Sequence, residues 1–261
     1  MIDERVLAPL GRRLVDVVAR RRLGAYVVLS ALDEDGPAPR AGQFYMLAAA
    51  ERWGGGEDER PFLPRAFSFA RAHPDGTLDF MLEDVGPGTR RLTELRAGDG
   101  LWLLGPLGTP FRPVARGRRP VLVGGGVGTA PLVALKDELG AAVPVLLGFR
   151  DGAHAAGAEL VPEAVVATDD GSVGHHGLVT ELLDLQAEVE VFACGPSPML
   201  EAVRAACADA GVPAQLAMES GMACGFGACF GCVVPTKAGY VRLCVDGPVL
   251  DAADLEEVIH D

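Results

Sequence analysis

Four cysteines lie close together in the last fifth of the chain: Cys224, Cys229, Cys232 and Cys244. Their spacing, C-x4-C-x2-C-x11-C, places three thiols within nine residues and the fourth on a later segment. This is the ligand pattern of a plant-type [2Fe–2S] cluster, in which four thiolates bind two irons. Glycines between the ligands let a loop wrap closely around such a group. The spacing therefore predicts an iron–sulfur cluster that carries one electron at a time.

Zinc and disulfides are the alternatives for these thiols. Zinc sites usually use two short cysteine pairs, which this spacing does not resemble. Residues 1–5 are charged and lack the apolar stretch of a signal peptide. No apolar run reaches the length of a membrane span, so we expect a cytoplasmic protein that does not enter a membrane. Thiols stay reduced in the cytoplasm, which favours metal binding over disulfides.

A glycine-rich turn follows an apolar stretch at 120–123 and precedes a predicted helix at 131–139. Such a turn lets the backbone approach a pyrophosphate at the helix N-terminus, so it predicts a dinucleotide site. The alternative is a tight strand–helix turn that only packs on its own sheet. The residues of this predicted site are Gly124, Gly125, Gly126, Gly128 and Thr129.

A second predicted cofactor segment is Cys194-Gly195-Pro196, followed by Met199 at the start of a helix. It comes after a buried strand, so Cys194 is expected at the carboxyl edge of a sheet, near a nicotinamide. The alternative is an ordinary capped helix with an inert buried cysteine. Cys207, in the middle of the helix, is expected to be core.

Acidic residues after the third strand of this region bear on the choice of dinucleotide. Asp169 can accept hydrogen bonds from ribose hydroxyls and repel a 2′-phosphate, which favours NAD over NADP. A solvated turn explains the same residues equally well. His175 and His176 have no third metal ligand beside them, so we expect a polar surface loop.

The predicted elements indicate a multi-domain chain. Short strands separated by turn signals predict an antiparallel β-barrel in residues 1–115, at 14–19, 25–31, 43–47, 66–70, 78–82 and 101–104, with one helix at 89–95. Alternating strands and helices predict a doubly wound α/β domain in residues 116–215, with strands at 120–123, 143–149, 164–168 and 189–193 and helices at 131–139, 178–185 and 197–210. Residues 216–261 form the predicted cluster domain, and 116–119 the linker.

The charge balance excludes one class of partner. The chain has a net charge of −13, from 36 acidic and 23 basic residues. Because phosphate backbones require a basic surface, we expect no nucleic-acid binding.

Taken together, these motifs resemble the ferredoxin-reductase-like flavoproteins and, more narrowly, the electron transfer subunits of bacterial dihydroorotate dehydrogenase B. The resemblance covers nearly the whole chain. It also includes two motifs that are weak signals on their own: the segment Arg65-Ala66-Phe67-Ser68 and the pair Gly88-Thr89. Ala66 stands where the commonest pattern has proline, and Ser220-Gly221 replaces the usual residues before Met222; neither change removes a ligand.

The resemblance implies roles for the barrel residues. Arg65 and the Gly88-Thr89 pair would hold FAD phosphates, with Ala66 and Phe67 in the same flavin motif. Ser68 would lie near the flavin N5 edge. Met81, Leu82 and Glu83 would line the flavin.

The resemblance also implies an oxidoreductase role in pyrimidine biosynthesis. Electrons would pass between NAD(H), FAD, the [2Fe–2S] cluster and the FMN of a partner catalytic subunit, in a heterotetramer of two of each subunit. A reductase subunit of another complex (a hydrogenase, a sulfite reductase or a ferredoxin-linked enzyme) is the alternative, and a zinc-stabilised interaction protein is a further one.

Overall fold

The computed structural model describes residues 11–54, 61–140 and 143–256. The charged N-terminal segment on which the signal-peptide argument rests lies outside these ranges. Within them, no helix combines the length and the apolar character needed to cross a membrane.

The N-terminal half forms a curled antiparallel sheet. Its strands are β1 (Arg13–Leu23), β2 (Tyr26–Leu32), β3 (Phe44–Ala49), β4 (Arg65–Ser68), β5 (Arg71–Ala72), β6 (Thr77–Glu83) and β7 (Gly100–Leu107). They run in the order β4-β3-β7-β1-β2-β6-β5, and β4 packs against β6 near the opposite end. Among the described residues no ladder joins β4 to β5, so packing closes the barrel. The antiparallel barrel is as predicted, with one helix, α1 (Pro87–Thr93), two residues earlier than expected.

The remaining elements build a second sheet and a hairpin. They are β8 (Arg119–Gly125), α2 (Thr129–Leu139), β9 (Val145–Phe149), α3 (Gly152–Ala155), β10 (Val165–Thr168), β11 (His175–His176), β12 (Val189–Cys194), α4 (Ser197–Ala210), β13 (Ala214–Ala217), β14 (Val233–Thr236), β15 (Gly239–Arg242) and β16 (Val249–Asp251). The sheet order is β11-β10-β9-β8-β12-β13-β16, with only β16 antiparallel. This is the predicted doubly wound arrangement.

The helix predicted at 178–185 is wrong. A 3-10 turn over Val179–Leu182 takes its place, and Leu183 has extended backbone angles. Leu182, Leu183 and Leu185 all pack against the core from this segment. Partial burial of these three leucines outweighs the weak propensity of so short a helix.

The histidine pair is polar surface, as predicted, since His176 is exposed and the His175 side chain is 38% exposed. The pair forms the edge strand β11, which pairs with β10, and not the expected loop. The ring of His175 lies 2.7 Å from a carboxylate oxygen of Glu181, so its partner is an acid of the same segment.

The cysteine segment starts and ends on the parallel sheet. It leaves β13 and returns as β16, which pairs antiparallel with β13. The boundary predicted at residue 216 therefore falls inside a strand. Cys232 and Cys244 share a buried cluster with Met46 and Leu107 of the barrel. The thiol loop is thus fixed against both sheets, and β14 and β15 form a separate hairpin.

Candidate functional site

The strand order of the parallel sheet reverses between β8 and β12, and the carboxyl ends of these strands lie side by side. Cys194 pairs there with Gly124. Ligands of open α/β sheets bind in the crevice at such a reversal. A Cβ on Gly128 would lie 2.4 Å from the Cys194 carbonyl oxygen, and one on Gly195 would lie 2.9 Å from the Gly125 nitrogen. The glycines therefore allow the two turns to touch beneath the crevice.

A cleft of about 430 Å³ opens at this edge, and we call it the switch-point cleft. Its volume lies within the usual range for small-molecule sites. The sequence-predicted residues that line it are Gly125, Gly126, Asp169, Pro196, Met199 and Glu83. The arrangement brings together the two predicted dinucleotide segments and the acid after β10.

Thr129 lies below this cleft and does not line it. The residue is fully buried, and its hydroxyl has no hydrogen-bond partner among the described residues. Gly124, Gly128 and Gly195 also lie behind the lining residues. They shape the turns, and a direct contact between Thr129 and a dinucleotide stays a prediction.

A second cavity, of about 230 Å³, lies between the barrel and the parallel sheet; we call it the barrel-side cavity. Ala66, Phe67 and Ser68 of β4 and Met81 of β6 form one side. The other residues that line it are Phe44, Val127, Ala130, Pro131, Cys194, Ala217, Met218, Glu219, Ser220, Met222 and Pro248. A mostly apolar slot with a few polar groups suits a flat aromatic ring system.

The two cavities are neighbours, because Val127 and Glu219 line both of them. The segment that leaves β13 forms a wall of the barrel-side cavity as far as Met222, two residues before Cys224. A group in the barrel-side cavity would therefore stand between the switch-point cleft and the thiol loop.

Arg65 lies against the start of α1. A Cβ on Gly88 would lie 2.5 Å from Nε of Arg65, so the missing side chain leaves room for the guanidinium. The guanidinium also lies over the ring of Trp53, 5.9 Å from its centroid, and Nη1 donates to the Leu63 carbonyl oxygen at 2.5 Å. An oriented arginine beside a backbone turn suits a phosphate group, as predicted for FAD.

The other residues predicted to contact FAD have different surroundings. The hydroxyl of Thr89 accepts from the Val85 nitrogen at 2.9 Å and donates to the Gly86 carbonyl at 3.1 Å, so it braces the turn. Leu82 is fully buried in the barrel core. Glu83 faces the switch-point cleft.

The four thiols of the cysteine loop approach one another as two pairs, Cys224 with Cys229 and Cys232 with Cys244. Backbone nitrogens point at sulfurs: Gly227 donates to Cys244 at 3.2 Å and Gly231 to Cys229 at 3.4 Å. Within the described ranges, no three His, Cys, Asp or Glu side chains converge on one metal position. The four cysteines would hold the two irons of a [2Fe–2S] cluster, and N–H donors to sulfur tune such clusters.

The loop also prepares one thiol for metal binding. Burial opposes ionisation of Cys224, but hydrogen bonds from the backbone of Phe226, Cys229 and Ala228 outweigh it and lower its pKa to about 6. In Cys244 burial and the neighbouring Cys232 thiol raise the pKa to about 12. Since the thiolate is the ligand, the lowered pKa of Cys224 favours its metal-binding form.

Sequence reasoning missed Glu219, which lines both cavities. The Cys194 thiol donates to its carboxylate across 3.9 Å. Neighbouring protein atoms desolvate the Glu219 carboxyl and raise its pKa, although the residue is exposed to the cleft. Burial raises the pKa of the Cys194 thiol well above its usual value. An acid five positions before the first cysteine has no motif of its own, so only the fold reveals it.

We expect Glu219→Gln to stabilise the protein more at pH 8 than at pH 4. A carboxyl whose pKa is raised by folding binds its proton more tightly in the folded state, so wild-type stability falls as the pH rises from the usual pKa through the raised one. The glutamine side chain of the variant does not ionise, so the variant does not lose this stability. Thermal unfolding of the FAD-loaded protein at both pH values measures the effect.

Glu163→Gln provides a control of opposite sign. The Lys136 ammonium lowers the pKa of Glu163, so this substitution should cost stability at pH 8. An equal change in melting temperature for Glu219→Gln at both pH values would show that Glu219 titrates normally.

Sequence comparisons match this chain to relatives that share one name. The iron–sulfur cluster binding domain of dihydroorotate dehydrogenase B matches residues 219–256. The electron transfer subunit of dihydroorotate dehydrogenase B (NAD(+)) from Clostridium perfringens is 36% identical, over 83% of this chain and 87% of that protein. The subunit of the same name from Caldanaerobacter subterraneus is 35% identical, over 92% of this chain and 96% of that protein.

Solved structures show the same architecture. The NADH-dependent reduced ferredoxin-NADP oxidoreductase, described for flavin-based electron bifurcation, superposes with a TM-score of 0.77 and 25% identity, covering 95% of this chain and 91% of that one. A ferredoxin NADP+ reductase from Neisseria gonorrhoeae with bound FAD and NADP superposes with a TM-score of 0.63 at 18% identity, covering 78% of this chain and 93% of that one. This second likeness is one of fold alone. With the relatives that match along most of its length, these findings show that the chain belongs to the family of dihydroorotate dehydrogenase B electron transfer subunits.

Proposed function

We propose that this chain is the electron transfer subunit of an NAD-dependent dihydroorotate dehydrogenase. It passes electrons between a catalytic partner subunit and NAD in pyrimidine biosynthesis. The observation that carries the proposal is the continuous wall from the barrel-side cavity to the thiol loop, formed by the segment from Ala217 to Met222. One piece of backbone thus joins a mostly apolar slot to four cysteines.

The predicted residues form three cofactor-binding sites. Arg65, Ser68 and Met81 would hold FAD in and beside the barrel-side cavity. Asp169 and the two glycine turns would hold NAD in the switch-point cleft. The four cysteines would hold the [2Fe–2S] cluster. When bound, these groups supply hydride exchange with nicotinamide and one-electron exchange with the partner, while the protein positions them.

The chain's own contribution is orientation and exclusion of water. Pro131 and Ala130 at the start of α2 close the barrel-side cavity on the side of the parallel sheet. Val127 and Glu219 form the border across which the two ligands would meet. No side chain is required to act on dihydroorotate, since that chemistry belongs to the partner.

The partner in this proposal is an FMN-containing catalytic subunit, assembled with this chain as two copies of each. We place the complex in the cytoplasm, where the six cysteines, all free in the structure, stay reduced. Co-expression with such a subunit tests the proposal. We expect FAD, iron and sulfide in this chain, and NAD reduction by dihydroorotate only when both subunits are present. NADH oxidation that never couples to dihydroorotate would instead favour a reductase subunit of another complex.

The exposed aromatic residues near the cysteines mark the face that we propose for the partner. Phe226, Phe230 and Tyr240 are 54%, 62% and 80% exposed, and Cys229, beside Phe230 in the chain, is also exposed. Phe230 has a left-handed backbone with φ of 60° and stacks against Arg242. Aromatic side chains dominate the energetics of interfaces, so these three residues suit a protein partner.

We therefore expect Phe230→Ser to slow electron transfer with the partner about tenfold, by loss of an interface anchor. Iron content and NADH oxidation by an artificial acceptor should not change. Val165→Ser, an exposed valine on β10 at 52% exposure, is the control and should leave coupling intact. Equal coupling in both variants would place the partner on another face.

A further inference from the structure

An ion pair crosses the switch-point cleft from the parallel sheet to the barrel. Arg150 follows β9, and its Nη2 lies 2.5 Å from the Glu83 carboxylate at the end of β6. Both residues line the cleft. The Arg150 side chain is 61% exposed, whereas that of Glu83 is 20% exposed. The arginine is therefore the more exposed half of the pair, and its other contacts are with its own segment: Nε lies 3.0 Å from Nε2 of His154 and 3.9 Å from the Asp151 carboxylate.

The acidic half is held in place by His154. The ring of His154 lies 3.1 Å from Glu83 through Nε2 and 2.6 Å from Asp151 through Nδ1. It also packs edge-on against Tyr26, with centroids 5.5 Å apart. Only 11% of the His154 side chain is exposed. The carboxylate of Glu83 thus keeps a contact with His154 when Arg150 moves away.

The charge of the cleft makes Arg150 important. Among the described residues that line it, Arg150 is the one arginine or lysine, against the acids Glu83, Asp169 and Glu219. A dinucleotide brings a doubly charged pyrophosphate into this acidic surrounding. The planar guanidinium binds phosphate oxygens in a bidentate way, which makes arginine the natural counter-charge.

We propose that Arg150 exchanges partners, pairing with Glu83 in the free protein and with the pyrophosphate of the dinucleotide in the complex. The inference rests on the proposed NAD site. Its consequence is that Glu83 competes with the ligand for one guanidinium. Removing Glu83 should then strengthen dinucleotide binding, the opposite of what a purely structural clasp between the two sheets predicts.

The test is calorimetric titration of the oxidised, FAD-loaded protein with NAD+, with ADP-ribose and with adenosine, none of which reduces the flavin. Arg150→Ala should weaken ADP-ribose binding about tenfold, the value of a charge-assisted contact, and leave adenosine unchanged. Glu83→Gln should tighten ADP-ribose binding about two- to fourfold, the value of a released exposed ion pair. The double variant should match Arg150→Ala, because nothing remains to be released.

A second ion pair between the barrel and the parallel sheet supplies matched controls. Arg71 on β5 lies 2.7 Å from Asp137 on α2, and neither residue lines the cleft. Arg71→Ala and Asp137→Asn should leave all three affinities unchanged. Arg150→Lys, which keeps the charge but not the planar guanidinium, should weaken ADP-ribose binding less than Arg150→Ala. Flavin absorbance and melting temperature verify that each variant is folded and loaded.

The outcomes separate the two proposals. If Glu83→Gln leaves ADP-ribose affinity unchanged or lowers it while the wild type binds NAD+, the partner exchange is wrong and the ion pair is structural. If the wild-type protein binds neither NAD+ nor ADP-ribose, the proposed function itself fails.

Discussion

Replacing Cys229 by alanine is expected to remove most of the iron and to lower electron flow to the partner subunit by about 100-fold or more. Loss of even an outer partner of a metal ligand costs about 10–100-fold in affinity, and here a ligand itself is lost. Cys229 is the exposed member of the four thiols, so the substitution leaves the core intact. Iron and sulfide analysis, with dihydroorotate-dependent NAD reduction, measures the effect.

The same variant should still oxidise NADH with an artificial acceptor, because the two cavities are formed without Cys229. Cys207→Ala is the matched control: this cysteine lies buried in α4 and is not one of the four thiols of the loop, so its loss should leave iron content unchanged. Full coupling to the partner in iron-depleted Cys229→Ala would mean that electrons bypass the cluster.

Gly88→Ala is expected to reduce FAD occupancy without unfolding the protein. The new Cβ would lie 2.5 Å from the Arg65 guanidinium, which is the flexible end of a side chain and can move away. Alanine is also a better helix residue than glycine by about 0.5–1 kcal/mol, so α1 itself does not suffer. FAD affinity should fall about tenfold, and Arg65→Ala should cost about 10–100-fold, the range of a hydrogen bond to a charged group.

Gly86→Ala, two residues earlier, is the control for this series. A Cβ at Gly86 meets no atom within 4 Å, and its backbone is extended. Flavin absorbance after purification and titration of the apoprotein with FAD compare the three variants. Unchanged flavin affinity in both Gly88→Ala and Arg65→Ala would refute the phosphate role of Arg65.

Much of the fold could be predicted because local patterns and tertiary packing agree. Val15 and Val17 of β1 are buried between exposed neighbours, which is the alternation of a half-buried strand. The cysteine spacing predicted the thiol loop because a cluster constrains its ligands locally. The strands β13 and β16 were not predicted, since each is short and depends on tertiary pairing: β13 lies between β12 and β16, and β16 pairs with β13.

The candidate site was predictable where one segment carries the geometry and not where distant segments meet. The glycines at 124–128 and at 195 indicate from the sequence alone that two backbone turns approach each other closely. Glu219 and Arg150 carry no such signal, because each gains its position from a cavity shared by two sheets. For the same reason Glu83, predicted to line the flavin, faces the switch-point cleft.

Electron paramagnetic resonance of the anaerobically purified wild-type protein tests the central claim most directly. We predict that NADH added to flavin-loaded protein produces the signal of a reduced [2Fe–2S] cluster, matched by about two irons for each chain. Full flavin reduction with no iron-derived signal, or zinc in place of iron, would contradict the account.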